Sequence, residues 1–501
     1  MKIKLLVSLS LTVLSCGIIF SADNFRNHRY DSFKATPTQE GEIVFAGNSI
    51  THMHSWFEAF GSHQEIIGRG NSGAFASELL DNLENYIDSK PSKFFLLIGT
   101  NDINSGETAE NTAGRIMTIV HRIRLESPET EVYVQSILPR SSNPKPDYEK
   151  CNDIVGSAIE AMYDPKVHFV NLSEVCAKIC GNEEWSHDGL HPRPVGYAAW
   201  THHIEDIVGY PSVYPDVINN QNSCGLVRSE AARVEQFPYY PIHEGDVLFF
   251  GDEQVHGGEW HELLGSNRIK DRGVKWGRGG INLKSAKSVV RSSLENLKDS
   301  PSKIFFFYGL GDHDSEDYAA LIDEAESLVP RAKFYLVSMT PSSDNRIDSD
   351  RVAFNKSLES LADCKKITYV DVYTPLRADI DKNIMPDDYI SGRGYIVMAN
   401  ELAKYLKEEN VSPVSLEAYT DVYTRRSIRK IIGDALTVGI MSLNGYCNYA
   451  GEINSGTLDI VKRNAIEKAV KEAIEVINLN NLTSDLADKK ADAIYKAVKQ
   501  E

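Results

Sequence analysis

One strand-and-glycine pattern is written twice in this chain, and that repetition limits the folds open to it. Arg29, Phe33, Pro37 and Gly41 recur, at one constant offset, as Arg233, Phe237, Pro241 and Gly245. The register continues through Glu42-Ile43-Val44-Phe45-Ala46-Gly47 against Asp246-Val247-Leu248-Phe249-Phe250-Gly251, and later through Pro91-Ser92-Lys93-Phe94 against Pro301-Ser302-Lys303-Ile304. Two look-alike strands arise easily by chance; an ordered series of this length predicts a duplicated domain.

Within the first copy, Glu42 to Ala46, Phe94 to Ile98 and Glu131 to Leu138 are short apolar runs rich in β-branched and aromatic residues. Amphipathic helical stretches, such as Ala76 to Asp88 and Ala113 to Arg124, lie between them. Alternating strands and helices predict an α/β chain whose mostly parallel sheets are covered on both faces. The 501 residues suffice for two or three cores. Residues 27–210 are expected to form the first domain, 211–229 a Pro-, Asn- and Ser-rich linker, and 230–410 the second domain. Residues 411–501 form a small C-terminal helical region, with helical periodicity at Ile428 to Leu443, Leu458 to Ile477 and Leu486 to Gln500. A net charge of -18 argues against nucleic acid or an anionic membrane surface as the main partner.

At the N-terminus, Lys2 and Lys4 precede an apolar run from Leu5 to Phe20 and then Ser21-Ala22-Asp23. That is the layout of a signal peptide over residues 1–22, predicting a periplasmic or extracellular protein with no transmembrane segment in the mature chain. Cys16 in Leu14-Ser15-Cys16-Gly17 is an alternative lipid-anchor position. Six further cysteines (Cys151, Cys176, Cys180, Cys224, Cys364 and Cys447) permit disulfides, but spacing does not choose a pairing.

Four blocks carry chemistry: Gly47-Asn48-Ser49-Ile50-Thr51, Gly68-Arg69-Gly70-Asn71-Ser72-Gly73, Gly99-Thr100-Asn101-Asp102 and Asp188-Gly189-Leu190-His191-Pro192. A serine hydroxyl needs a general base and donors for the developing oxyanion. Ser49 follows a strand, with a helix expected to open behind it, so its N–H is a donor candidate. Asp188 and His191, three apart around Gly189, can form a carboxylate–imidazole pair whose second ring nitrogen takes the serine proton. Gly73 offers an N–H with no side chain in the way, and Asn101 an amide. His52 and His54, close to Ser49, are either pocket-lining or helix-surface histidines.

With these blocks the chain resembles the SGNH (GDSL-like) hydrolases, in the branch of platelet-activating-factor acetylhydrolase-like and carbohydrate O-acetylesterase members. The resemblance covers roughly 27–210, supported by Ile137-Leu138-Pro139-Arg140 and Gly196-Tyr197. It implies flavodoxin-like α/β/α sandwiches, Ser49 as nucleophile, Asp188 and His191 as its partners, and Ser49 N–H, Gly73 and Asn101 as oxyanion donors, with no cofactor and no metal. Asn48 stands where the family more often has Asp, and Gly68 where Asn is usual.

The second copy lacks this set. Glu253 takes the nucleophile position, Gly311 that of Asn101, and Asp387-Asp388-Tyr389-Ile390 contains no histidine. At the glycine block, Trp276 or Asn282 falls at the donor position, depending on alignment. Glu253, Asp312, His313 and Asp314 are expected near the old cleft, as a solvated acidic loop. Cys176, Cys180, His187 and His191 have a faint zinc-like spacing, but their intervening gap is too short for a finger.

The expected activity is an exported serine esterase acting on short acyl esters, O-acetyl groups on carbohydrates foremost, through an acyl-enzyme on Ser49. The alternatives are a lysophospholipase or short-chain lipid esterase and, from another class, a glycan-binding or scaffolding protein.

Overall fold

Apolar runs that alternate with amphipathic helices bury both faces of their strands, and the computed structural model contains two such sheets. It describes residues 24–140, 145–173, 175, 185–218, 228–275, 280–445 and 458–499. The expected signal segment 1–22 with Cys16, the middle of the linker, Cys176, Cys180, Cys224, Cys447 and Trp276 lie outside the described residues. Cys151 and Cys364 are both free thiols.

The first sheet contains β1 (Ile43–Gly47), β2 (Ile66–Gly70), β3 (Lys93–Leu97), β4 (Glu131–Gln135) and β5 (Val167–Val170), all parallel, in the order β2-β1-β3-β4-β5. The second contains β6 (Val247–Gly251), β7 (Ile269–Gly273), β8 (Lys303–Phe307), β9 (Lys333–Val337) and β10 (Thr368–Val370), in the corresponding order β7-β6-β8-β9-β10. This is the flavodoxin-like winding, whose crevice opens at the carboxyl ends where the chain reverses direction across the sheet. Every residue of β1 and of β6 is buried, as parallel strands between helical layers require.

The chain divides into two compact units, and their boundaries differ from the expected ones. One unit joins the helix over 24–35 to residues 242–419; the other joins residues 37–241 to 420–501. The helix ahead of β1 therefore belongs with the second sheet. There Arg29 donates to the Gly257 carbonyl at 2.8 Å and pairs with Glu259 at 2.6 Å. The segment ahead of β6, residues 228–241, belongs with the first sheet. There Gln236 donates to the Met53 carbonyl at 3.1 Å.

The C-terminal helices Leu416–Asn444, Ile460–Ile477 and Ser484–Lys499 share a core that includes Ile432, Leu436, Ile466 and Ile494. From residue 420 onward they belong to the unit of the first sheet rather than standing apart. Fully buried Arg122 pairs with Glu84 (2.8 Å) and Glu126 (2.7 Å), and a Cβ at Gly433 would run into its guanidinium. Among the described residues, no helix is long and apolar enough to cross a membrane.

Candidate active site

Three of the four blocks leave neighbouring strands at the same end of the first sheet. Gly47 of β1 pairs in register with Gly70 of β2 and Leu97 of β3, so the segments that follow those strands emerge side by side. A Cβ on Gly47 would strike the Leu97 carbonyl, and one on Gly70 would strike the backbone of His52. Glycine at both strand ends lets the blocks close on one another.

Ser49 begins a one-turn helix, Ser49–His52, capped by Asn48, whose Oδ1 accepts from the Ile50 N–H at 3.0 Å. Asn48 thus performs the capping that an aspartate performs at Asp252 in the second unit. A single turn carries little macrodipole, so the helix offers an unspent N–H more than a field. Among the described residues the Ser49 and Gly73 N–H groups have no protein acceptor.

The Asp/His loop is built to orient a ring. Asp188 Oδ1 accepts from the N–H groups of Leu190 (3.0 Å) and His191 (2.9 Å), with Gly189 at φ +74° completing the turn. Asp188 Oδ2 lies 2.7 Å from His191 Nδ1, and His191 Nε2 lies 2.8 Å from Ser49 Oγ. The carboxylate fixes the tautomer with the proton on Nδ1, leaving Nε2 to accept from the serine hydroxyl. Burial opposes ionisation of Asp188. The hydrogen bond and charge of His191, with the two backbone donors, outweigh it and hold the carboxyl well below the usual range. Tyr197, one turn further on, donates to the Ile50 carbonyl at 2.7 Å.

Gly73 sits at φ +84° in a turn fixed at both ends: Asn71 N–H donates to the Gly47 carbonyl (2.9 Å) and Ala74 N–H to the Asn71 carbonyl (3.0 Å). Asn101 Nδ2 donates to the Ala74 carbonyl at 2.9 Å, which brings its amide to the same turn and leaves a second amide proton. Beside it, fully buried Asp102 accepts from the Ala76 N–H at 3.1 Å, and burial raises its carboxyl to about 6. The arrangement can move a proton from a hydroxyl to an imidazole beside backbone and amide donors.

His54 is neither pocket-lining nor on a helix surface. It is buried against Tyr197 (ring centroids 4.4 Å apart), with Nδ1 2.6 Å from Gln236 Oε1. His52 Nδ1 meets Ser72 Oγ at 2.8 Å, joining the first block to the second.

In the second unit the corresponding groups take structural tasks. Gly280, at φ +73°, occupies the place of Gly73, because Leu283 N–H donates to Asp312 just as Ala76 N–H donates to Asp102. Neither Trp276, outside the described residues, nor Asn282 is needed there; Asn282 caps the helix Leu283–Leu294. Of the expected solvated acidic loop, His313 and Asp314 are exposed, His313 stacking on Phe354 and Asp314 capping a helix, whereas Glu253 is buried beside Lys275 (3.4 Å). Asp388 is held by Ser342 and Arg351.

His187, from the zinc-like pattern, meets Glu235 instead, at 3.0 Å. Among the described residues Glu259, His261 and Glu262 bring potential metal-ligand atoms within 4.8 Å of one another, with Glu259 paired to Arg29. Sequence reasoning missed Glu235 and Gln236, which contact the loops of both Ser49 and His191. Their only signal was position within the repeated Arg-x3-Phe segment.

A sequence profile of the GDSL-like Lipase/Acylhydrolase family matches residues 45–199, the stretch that carries all four blocks. The platelet-activating factor acetylhydrolase IB subunit alpha1 of Pongo abelii is 32% identical over 171 residues, 32% of this chain and 72% of that protein. Its Homo sapiens counterpart is 32% identical over 170 residues, 32% of this chain and 71% of that protein. Among solved structures, a carbohydrate esterase family 3 protein from Talaromyces cellulolyticus aligns with 34% of this chain and 96% of its own at 20% identity, with a TM-score of 0.30.

Proposed function

The chain belongs to the GDSL-like lipase/acylhydrolase family and is a carboxylic ester hydrolase by that membership; we propose that it removes short acyl groups, acetyl foremost, from carbohydrate hydroxyls. The observation that carries the chemistry is the line of hydrogen bonds from Asp188 through His191 to Ser49. Ser49 Oγ attacks the ester carbonyl as His191 Nε2 takes its proton. The Ser49 and Gly73 N–H groups and the Asn101 amide receive the oxyanion. The tetrahedral intermediate expels the alcohol, which takes the proton back from His191, and an acyl-Ser49 remains. Water, deprotonated by His191, then releases the acid. Loss of one oxyanion donor costs about 10²–10³ in turnover, the effect expected of Asn101→Ala.

A short acyl group is supported by the name of the similar acetylhydrolases. The word lipase in the matching family's description favours a second reading, an acetyl ester carried on a lipid. Export through residues 1–22, the second unit as a degenerate duplicate, and a carbohydrate alcohol rest on the sequence reading. Hydrolysis of acetyl, butyryl and octanoyl aryl esters, followed by acetate release from acetylated sugars beside an acetylated lysolipid, tests the substrate. The reading expects acetyl over octanoyl and sugar over lipid. Octanoyl preference overturns the acetyl assignment, and lipid preference moves the alcohol to the second reading.

A further inference from the structure

We infer that Glu235 and Gln236 form one positioning clamp that holds the Ser49 and His191 loops in reacting register. The inference rests on the serine-esterase reading above and adds residues from outside the family's matched stretch, which ends at 199.

The Asp188–His191 loop is not immobilised by burial, since the two side chains keep 28% and 14% of their surface exposed. It is gripped from both sides instead. His187, the residue before Asp188, places Nε2 3.0 Å from Glu235 Oε1. Arg193, two residues past His191, donates from Nε to Glu235 Oε2 at 2.9 Å and from Nη2 to Oε1 at 3.2 Å. Both carboxylate oxygens are therefore engaged, in the forked geometry that fixes orientation as well as distance. Glu235 is itself 4% exposed, so its carboxylate has little freedom to follow a moving loop.

The next residue faces the other partner of the reacting pair. Gln236 Nε2 donates to the carbonyl of Met53, the residue that caps the Ser49–His52 helix, and Gln236 Oε1 meets His54 Nδ1 at 2.6 Å. Two consecutive residues thus fix the loops on both sides of the 2.8 Å contact between Ser49 and His191.

The repeat supplies an internal comparison. Asp31 occupies the Glu235 position of the repeated segment, and in its own unit it accepts from the Gly392 N–H at 2.7 Å, just past the Ile384–Ile390 bridge. That bridge corresponds to Ser186–Pro192 around the Asp/His loop. Where no serine–histidine pair needs aligning, the acid meets that backbone N–H and Lys34 of its own helix, at 3.7 Å. Where the pair exists, it holds two basic side chains that flank Asp188 and His191.

The test uses the full chain and an acetyl aryl ester, with active sites counted by exhaustive fluorophosphonate labelling. Glu235→Gln preserves shape while removing the charge. The clamp expects turnover per labelled site to fall about 10- to 100-fold, the scale of a misplacement near 1 Å, with KM within about twofold, the mark of an interaction used only in the transition state. Gln236→Leu should act in the same way, and the double variant should lose less than the product of the two. Arg193→Lys, which keeps the charge but not the fork, gives a smaller loss of the same kind and serves if Glu235→Gln does not fold. Asp31→Asn should leave turnover unchanged. Wild-type turnover per labelled site in Glu235→Gln, or a loss seen only as fewer labelled sites, overturns the clamp. Wild-type hydrolysis by Ser49→Ala overturns the esterase reading instead, so the two failures are distinguishable.

Discussion

The hydroxyl of Tyr197 donates to the carbonyl of Ile50 across 2.7 Å, joining the helix behind His191 to the residue behind Ser49. Tyr197 is wholly buried and stacks on His54, so Tyr197→Phe keeps the packing and strands one buried acceptor. The expected cost is about 1–3 kcal/mol in urea unfolding, with a fall in turnover and an unchanged KM. A variant indistinguishable from wild type in both would show that this tie does not hold the pair together.

Asp188 controls the tautomer and stays charged in the assay range. Its carboxyl is held below the ordinary range, so its stabilising effect is present above about pH 4 and is lost as pH falls through its lowered folded value. No step from the Asp188 carboxyl should therefore enter kcat/KM between pH 5 and 8. Asp188→Asn favours the wrong tautomer, and turnover should drop by about 10⁴. A loss of turnover under tenfold would contradict this assignment.

His54 should make the fold sensitive to mild acid. Burial lowers its imidazole to about 3, the Gln236 hydrogen bond opposing and the Arg233 charge adding to the effect. The unfolded chain binds a proton below about pH 6.5 that the folded chain refuses. Stability should then decline as pH falls from about 6.5 toward 3, by at most on the order of 5 kcal/mol. Urea midpoints at pH 7.5 and 5 should differ in wild type and differ less in His54→Asn, which keeps buried His28 as a second imidazole lowered by burial. An equal slope in both proteins would place the acid sensitivity elsewhere.

The parts legible in the sequence were those with a local signature. Strand-ending Gly47, the Asp188-x-x-His191 turn and the amide at Asn101 each announce themselves within a few residues, and the parallel run of the strands follows from alternation with helices. What stayed hidden depends on partners far along the chain. The repeated Arg-x3-Phe segments at Arg29 and Arg233 carry the same pattern, so nothing local says which sheet each joins; the structure pairs each with the sheet it does not directly precede. Glu235 and Gln236 lie in one of these segments, and nothing near them in sequence marks a role until His187, Arg193 and Met53 are brought to them. The glycine block of the second unit was ambiguous because Gly280 is recognised by its left-handed backbone and by the Leu283–Asp312 contact, neither of which is written in residue spacing. The acidic residues at Glu253 and Asp312 looked solvated because sequence alone supplied neither Lys275 nor the helix end at Leu283.

The most direct test of the account is where the acyl group goes. Wild-type protein mixed with an acetyl aryl ester and quenched in acid during the first turnover should carry one acetyl group on the peptide containing Ser49, seen by mass spectrometry. Ser49→Ala should carry none and should hydrolyse the ester at the uncatalysed rate. Acetylation at another residue, or undiminished hydrolysis by Ser49→Ala, would contradict the assignment of Ser49 as the nucleophile.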